Sequence, residues 1–211
     1  IENDNNTKEN IVENLPTDSI RKFNDYLNAV KAAFIERDDM VNLLGLGLVS
    51  GLPTCFIGEP GTSKSKLIEE FANNIDFNDD KIQKYFGYLI TKYTHPDELF
   101  GKPSLKRYKN EDVMVRNTDN SLVDCRIAFL DEIFKGNSPL LNSTLGVSNE
   151  KKFNRGANEI VKLPLKFLTA ASNEYPIDDP RLRALWDRWI IRAEVQDIHT
   201  EEGFIRLLQD K

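Results

Sequence analysis

Ile57-Gly58-Glu59-Pro60-Gly61-Thr62-Ser63-Lys64-Ser65 decides how the rest of the chain is read. A short apolar run, Thr54-Cys55-Phe56-Ile57, leads into it, and Leu67, Ile68, Phe71, Ala72 and Ile75 follow on one helical face. Strand, glycine-containing loop, helix is the context in which G-x-x-x-x-G-K-[ST] holds phosphate. Glycines let the backbone curl so that successive N–H groups converge on an anion. The helix start adds unsatisfied N–H groups and the positive end of its dipole. Lys64 then reaches the β- and γ-phosphates of a nucleotide, and the Ser65 hydroxyl ligates Mg²⁺. The candidate cradle is the run Gly58, Glu59, Pro60, Gly61, Thr62, Ser63, Lys64, Ser65 and Lys66. Ser63 stands where the pattern asks for a second glycine, and a small residue fits there if its φ is negative. The competing reading is an ordinary Gly/Pro turn between a strand and a helix.

Downstream, Ile127-Ala128-Phe129-Leu130-Asp131-Glu132 is an apolar strand ending in two acids. At that place Asp131 is suited to hold Mg²⁺, and Glu132 to accept a proton from an attacking water or to orient it. The bland alternative is a strand followed by an acidic helix cap. A further strand, Leu165 to Ser172, ends in Ser172-Asn173-Glu174. Asn173 then faces the same sheet edge as Asp131, where it could hold the nucleophilic water or touch the γ-phosphate.

The flanking segments fill in an α/β pattern. Residues 1–16 are polar and read as a flexible lead-in. Ile20, Phe23, Leu27, Val30 and Phe34 recur at helical spacing after a capping Thr17, Asp18 or Ser19. Asp38 to Ser50 is apolar nearly all round, as in a buried helix, and ends at Gly51. Asn78-Asp79-Asp80 marks a loop, and Tyr85 to Tyr93 a strand. Thr94 caps a helix with Pro96 in its first turn. That helix breaks at Gly101-Lys102-Pro103, and the stretch to Val123, with strand-like Val113-Met114-Val115, reads as a projecting β-insertion. Ser138-Pro139 opens a helix through Leu140, Leu141, Leu145 and Val147. A hairpin centres on Gly156 between Lys152 and Val161. A last strand spans Trp189 to Val195, and a helix begins at Gly203.

The 211 residues fit one α/β domain, and 40% hydrophobic content supports a sizeable core. The net charge of −6 and pI of about 5.1 argue against a general nucleic-acid binder, although Lys102, Lys106, Arg107 and Lys109 cluster in the insertion. Cys55 and Cys125 fall in strands, where core packing explains them; neither a disulfide framework nor a zinc site is supported. No apolar run approaches membrane-spanning length, and no secretory leader is visible, so the expectation is a reduced, cytoplasmic setting.

With these motifs in order, the chain resembles the AAA+ superfamily, and within it the MoxR family, most closely the RavA-type branch. The residues carrying the likeness are Gly58 to Ser65, Pro96-Asp97-Glu98-Leu99-Phe100-Gly101, Phe129-Leu130-Asp131-Glu132-Ile133-Phe134-Lys135, Ala170-Ala171-Ser172-Asn173-Glu174 and Ala184-Leu185-Trp186-Asp187-Arg188. The resemblance implies an α/β P-loop core with a five-stranded parallel sheet flanked by helices and β-hairpin insertions. Residues 17–211 would form the large α/β subdomain, with the helical lid truncated or absent. It further implies ATP and Mg²⁺ as ligands, a homo-oligomer, typically a hexamer, and a protein partner, often bearing a von Willebrand A-type domain. By the same resemblance Asn173 is sensor 1, Arg188 the arginine finger with Arg183 as its rival, and Ile35, Glu36 and Arg37 the adenine contact. The leading expectation is an ATP hydrolase that remodels protein partners. The alternatives are a nucleotide-binding assembly module with little catalysis and a nucleic-acid-translocating motor.

Overall fold

The computed structural model describes residues 17–77, 81–176, 182–183 and 186–209; for Ser138, Asn142, Leu145, Ser148 and Asn149 it describes the backbone only. The expected lead-in, the Asn78–Asp80 loop, Ala184 and Leu185 therefore lie outside the described residues, as does the side chain of Leu145.

A five-stranded, wholly parallel sheet carries the fold. Its strands are β1 (Thr54–Ile57), β2 (Gln83–Leu89), β3 (Cys125–Asp131), β6 (Phe167–Ser172) and β7 (Ile191–Glu194). Their order is β2-β3-β6-β1-β7. Strands covered on both faces read as continuous apolar runs, and β1, β3 and β6 do so because they are the central three. Their side chains alternate between two cores. Cys55, Ile57, Ala128, Leu130, Leu168 and Ala170 face one layer, with Leu99, Leu140 and Trp189. Phe56, Ile127, Phe129, Phe167 and Ala171 face the other, with Leu44, Leu67 and Phe71. Each buried Leu, Ile or Phe among them contributes about 1.5–3 kcal/mol of transfer free energy.

Helices α1 (Thr17–Ala33), α2 (Asp38–Ser50) and α3 (Lys64–Asn73) cover the second face. The α1 spacing buries Leu27 and Val30 but leaves Ile20 exposed. The Tyr26 hydroxyl ties α1 to α3 by donating to the Phe71 carbonyl. Contrary to the all-round burial expected of α2, Leu46 and Val49 point outward, and only Met40, Val41 and Leu44 of its larger apolar residues are buried. The helix lies flat on the sheet, so half of its circumference has nothing to pack on.

The first face carries α4 (Pro96–Phe100) and α6 (Ser138–Glu150). β2 ends at Leu89 rather than Tyr93, because Thr91–Thr94 closes a turn in which the Thr94 hydroxyl accepts the Thr91 N–H at 2.9 Å. The cap of α4 is consequently His95, not Thr94. The His95 side chain accepts from Asp97 N–H, and Glu98 reaches back to the His95 N–H at 2.7 Å.

The insertion after Gly101 holds one short helix and otherwise irregular chain, which corrects the expectation of strands there. Ser104 caps α5 (Leu105–Glu111), a run of good helix formers, and Asp112 ends it in a left-handed conformation. Val113–Val115 finds no strand partner; one antiparallel bridge, Pro103 to Arg116, is all the pairing described. The second insertion is the expected hairpin, β4 (Lys152–Asn154) with β5 (Ile160–Lys162). The two lean on each other: Arg107 pairs with Glu159 at 2.9 Å, Arg116 N–H donates to the Arg155 carbonyl, and the Arg155 guanidinium returns to the Arg116 carbonyl. The last helix, α7, spans Glu201–Gln209.

No helix among the described residues is long and apolar enough to cross a membrane. Cys55 and Cys125 are free, fully buried, and on β1 and β3, which β6 separates.

Candidate nucleotide-binding site

Ligand sites of open parallel sheets form where strands end in carboxyl-edge loops, and β1, β6 and β3 converge there. The chain leaves β1 between two neighbours. Gly58 N–H donates to the Ser172 carbonyl at 3.2 Å, and a Cβ at Gly58 would overlap the carbonyl oxygen of Val195. Only glycine lets the loop start so close to the neighbouring backbone. The loop then curls through Gly61 at φ +88° and Thr62, whose hydroxyl donates to the Glu59 carbonyl at 2.9 Å.

Ser63 differs from expectation. Its φ is +63° and ψ 18°, left-handed, so the condition of a negative φ, under which a small residue fits easily, is not met. A left-handed backbone immediately before α3 is a conformation glycine adopts without a Cβ penalty. A left-handed L-residue costs about 1–2 kcal/mol, and glycine returns roughly 0.5–1 kcal/mol of that in chain entropy. Ser63→Gly is therefore expected to raise the melting temperature by about 2 °C. An unchanged or lower value would show that the serine sits there without strain.

Lys64 opens α3 and turns its side chain back over the loop. Its three ammonium hydrogens are shared among four acceptors, the carbonyls of Gly58 (2.7 Å) and Glu59 (2.9 Å), the Thr62 hydroxyl (3.0 Å) and Asn173 Oδ1 (3.0 Å). Burial lowers its pKa, while Asp131, Glu132 and Glu59 pull it back up. The net setting is a desolvated cation in an acidic surround, where its interactions are stronger than in water.

Asn173 sits between that cation and the acid pair. Its Nδ2 donates to Glu132 Oε1 at 2.5 Å, and its backbone N–H reaches Glu132 Oε2 at 3.4 Å. Glu132 is itself left-handed, at φ +54°, with Lys135 Nζ 3.4 Å from Oε1. The Asp131 carboxylate faces α3, accepting the Ser65 hydroxyl at 2.7 Å on Oδ2 and the Glu132 N–H at 3.0 Å on Oδ1. The Ser65–Asp131 pair is an all-oxygen, two-residue set. Mg²⁺ is typically held in this way when phosphates and waters complete its shell.

Beside the loop opens a cavity of about 970 Å³ lined by Ile35, Arg37, Gly61, Ser63, Lys66 and Phe204, among others. Small-molecule and cofactor pockets run to roughly 300–1,000 Å³. Ile35 and Arg37 thus line a cavity that also takes in Gly61 and Ser63 of the glycine-containing loop. Arg37 is buried and donates from Nε to the Thr62 carbonyl at 2.9 Å. Glu36 points elsewhere, to the start of α7, and does not line the cavity.

Arg188 is not brought to the cluster: among the described residues no hydrogen bond or ion pair joins it to Lys64, Asp131, Glu132 or Asn173, and its Nε is buried without a partner. Its segment is nevertheless anchored near the acid pair, since Trp186 packs on Phe134 at 5.7 Å between ring centres. Arg183 is exposed. Sequence reasoning missed Lys135 as a partner of Glu132, and it missed the wall of Asp197, Ile198, Phe204 and Leu207. Only a capping pattern, Thr200 followed by Glu201 and Glu202, hinted at that wall.

A phosphate cradle after β1, acids at the end of β3 and an asparagine at the end of β6, on a sheet of this order, define a P-loop ATPase core of the AAA+ class. Residues 21–210 match the model of the MoxR domain in the MoxR-vWA-beta-propeller ternary systems. The chain belongs to the MoxR family.

Two uncharacterized proteins of Methanocaldococcus jannaschii are each 38% identical to it, over 190 and 189 residues. The match takes in 90% of this chain and 47% and 48% of theirs. A structural protein of Acidianus two-tailed virus is 35% identical over 177 residues, covering 84% of this chain and 28% of its own. The chain thus spans about half the length of its archaeal relatives and less of the viral one. Among solved structures, a candidate ATPase from Cytophaga hutchinsonii superposes with a TM-score of 0.66 at 17% identity, over 91% of this chain and 55% of the other, a likeness of fold.

Proposed function

We propose that the chain binds Mg²⁺-ATP at the β1–α3 loop and hydrolyses it, using turnover to remodel protein partners as a member of a ring. The observation that carries this reading is the continuous network Ser65–Asp131–Glu132–Asn173–Lys64. The five residues whose side chains this reading gives roles in phosphoryl transfer within one subunit are thereby joined end to end. Residues 17–211 are proposed as the large subdomain of such a machine, of the RavA-type branch.

In this reading Gly58 to Lys66 cradle the phosphates through backbone N–H groups, and Lys64 turns from the loop carbonyls to the β- and γ-phosphate oxygens. Ser65 and Asp131 hold Mg²⁺, which when bound neutralises charge on those oxygens. Glu132 takes the proton of the attacking water, and Asn173 orients both the carboxylate and the water. Ile35 and Arg37 flank the base. Arg188, or Arg183 as its rival, reaches a neighbour's γ-phosphate, so that the site is complete only in an assembly. A partner carrying a von Willebrand A-type domain is supported by the MoxR-vWA-beta-propeller ternary systems in which the matched domain is described; the hexamer rests on the family resemblance alone.

Specific ATPase activity is expected to rise with protein concentration and then plateau, as subunits complete one another's sites. Activity proportional to protein at every concentration would exclude a finger supplied in trans. Bound nucleotide with no turnover at any concentration would favour the assembly module instead.

A further inference from the structure

Glu36 and Arg37 are adjacent in sequence, yet they bind two different segments that line the same cavity, the start of α7 and the phosphate loop. Arg37 Nε holds the phosphate loop at Thr62, while its Nη1 donates to the Glu36 carbonyl at 2.7 Å. Glu36 adopts φ +53°, the left-handed region that a non-glycine residue enters only when its surroundings demand it. That turn sends its carboxylate to the N-terminus of α7. Oε2 accepts His199 N–H at 2.9 Å, and Oε1 accepts Thr200 N–H at 3.1 Å together with the Thr200 hydroxyl. His199 Nδ1 stands 2.9 Å from the same carboxylate. These contacts hold the Glu36 carboxyl down at about 2, led by the Thr200 hydroxyl. The Thr200 hydroxyl oxygen in turn accepts Gly203 N–H at 3.0 Å, capping α7.

Gly203 makes this approach possible. A Cβ there would overlap Glu36 Oε1 and crowd Ile198 and Thr200. The consequence lies beside it: Ile198 before the helix, and Phe204 and Leu207 on it, line the same cavity as Ile35 and Ala33. Phe204 and Leu207 are each more than half exposed, so packing on the rest of the protein does little to hold α7 in place. The clamp at its first turn does that instead.

We propose that Glu36 is a positioning residue for nucleoside recognition, fixing α7 so that Ile198, Phe204 and Leu207 wall the base side of the cavity. This rests on the nucleotide-binding reading above and adds the group that sets the base half of the site apart from the phosphate half.

The test compares affinities of the chain for ATP and for inorganic tripolyphosphate in wild type, Glu36→Gln and Gly203→Ala. Both variants are expected to lose ATP affinity roughly tenfold, the worth of one charge-assisted hydrogen bond, and to keep tripolyphosphate affinity within about twofold. Unchanged ATP affinity in both variants would overturn the inference, as would an equal loss of ATP and tripolyphosphate, which signals general damage. A wild type that binds tripolyphosphate no more weakly than ATP would show that the cavity takes no base. A wild type that binds neither would overturn the nucleotide reading itself.

Discussion

Glu132→Gln is expected to lower ATP turnover by about 100- to 10,000-fold, the range that a positioned general base contributes, while ATP affinity stays within a few-fold of wild type. The reason for the split lies in the geometry. Glutamine is isosteric, meets the same demand for a left-handed backbone, and can still accept the Asn173 Nδ2 hydrogen through its amide oxygen. It cannot take a proton. The Lys135 contact, at 3.4 Å and half exposed, contributes little to the fold, so losing it should not confuse the result. Single-turnover hydrolysis and fluorescent-nucleotide titration on the same preparation separate the two quantities. Turnover equal to wild type would remove Glu132 from the chemistry.

The second large effect is expected at Lys64. Lys64→Ala should weaken ATP binding about a hundredfold or more, because a desolvated cation facing two phosphates is worth several charge-assisted hydrogen bonds. Lys64→Arg should not rescue it. The ammonium lies within 2.7–3.0 Å of four acceptors packed around a point, and a planar guanidinium fork cannot serve that arrangement. Calorimetric titration with ATP checks both variants, and circular dichroism melts confirm that they fold. Wild-type affinity in Lys64→Ala would place the phosphates elsewhere and dissolve the roles assigned to Ser65 and Asp131.

Much of this architecture could be read from residues alone, for a physical reason. β1, β3 and β6 are buried on both faces, so each is a short apolar run, and the polar residue that ends each run must lie at the sheet edge. Asp131, Asn173 and the lysine loop follow from that rule. What stayed hidden depends on partners distant in sequence. Glu36 meets His199 and Thr200 across more than 160 residues, and no local pattern encodes the meeting. The outward face of α2 looked buried because Leu46 and Val49 are apolar, but exposure is decided by what lies opposite. Leu105 to Glu111 favours helix, whereas Val113-Met114-Val115 has strand composition but pairs with no strand among the described residues; the Val115 carbonyl accepts the Ser104 N–H, and the bridge falls one residue on, at Arg116. The sign of φ at Ser63 is set by the curl of the whole loop, which composition does not reveal.

The brace between α5 and the β4–β5 hairpin has a thermodynamic consequence. Two surface excursions that stood apart would each lose backbone freedom on ordering, at roughly 1–2 kcal/mol per residue. Joined through Arg107–Glu159 and the reciprocal Arg116–Arg155 contacts, they share their restraints, so each is ordered partly at the other's expense. Segments coupled in this way melt as a pair: loosening the hairpin frees the helix some fifty residues away in sequence, and a ligand that stiffens either one stiffens both.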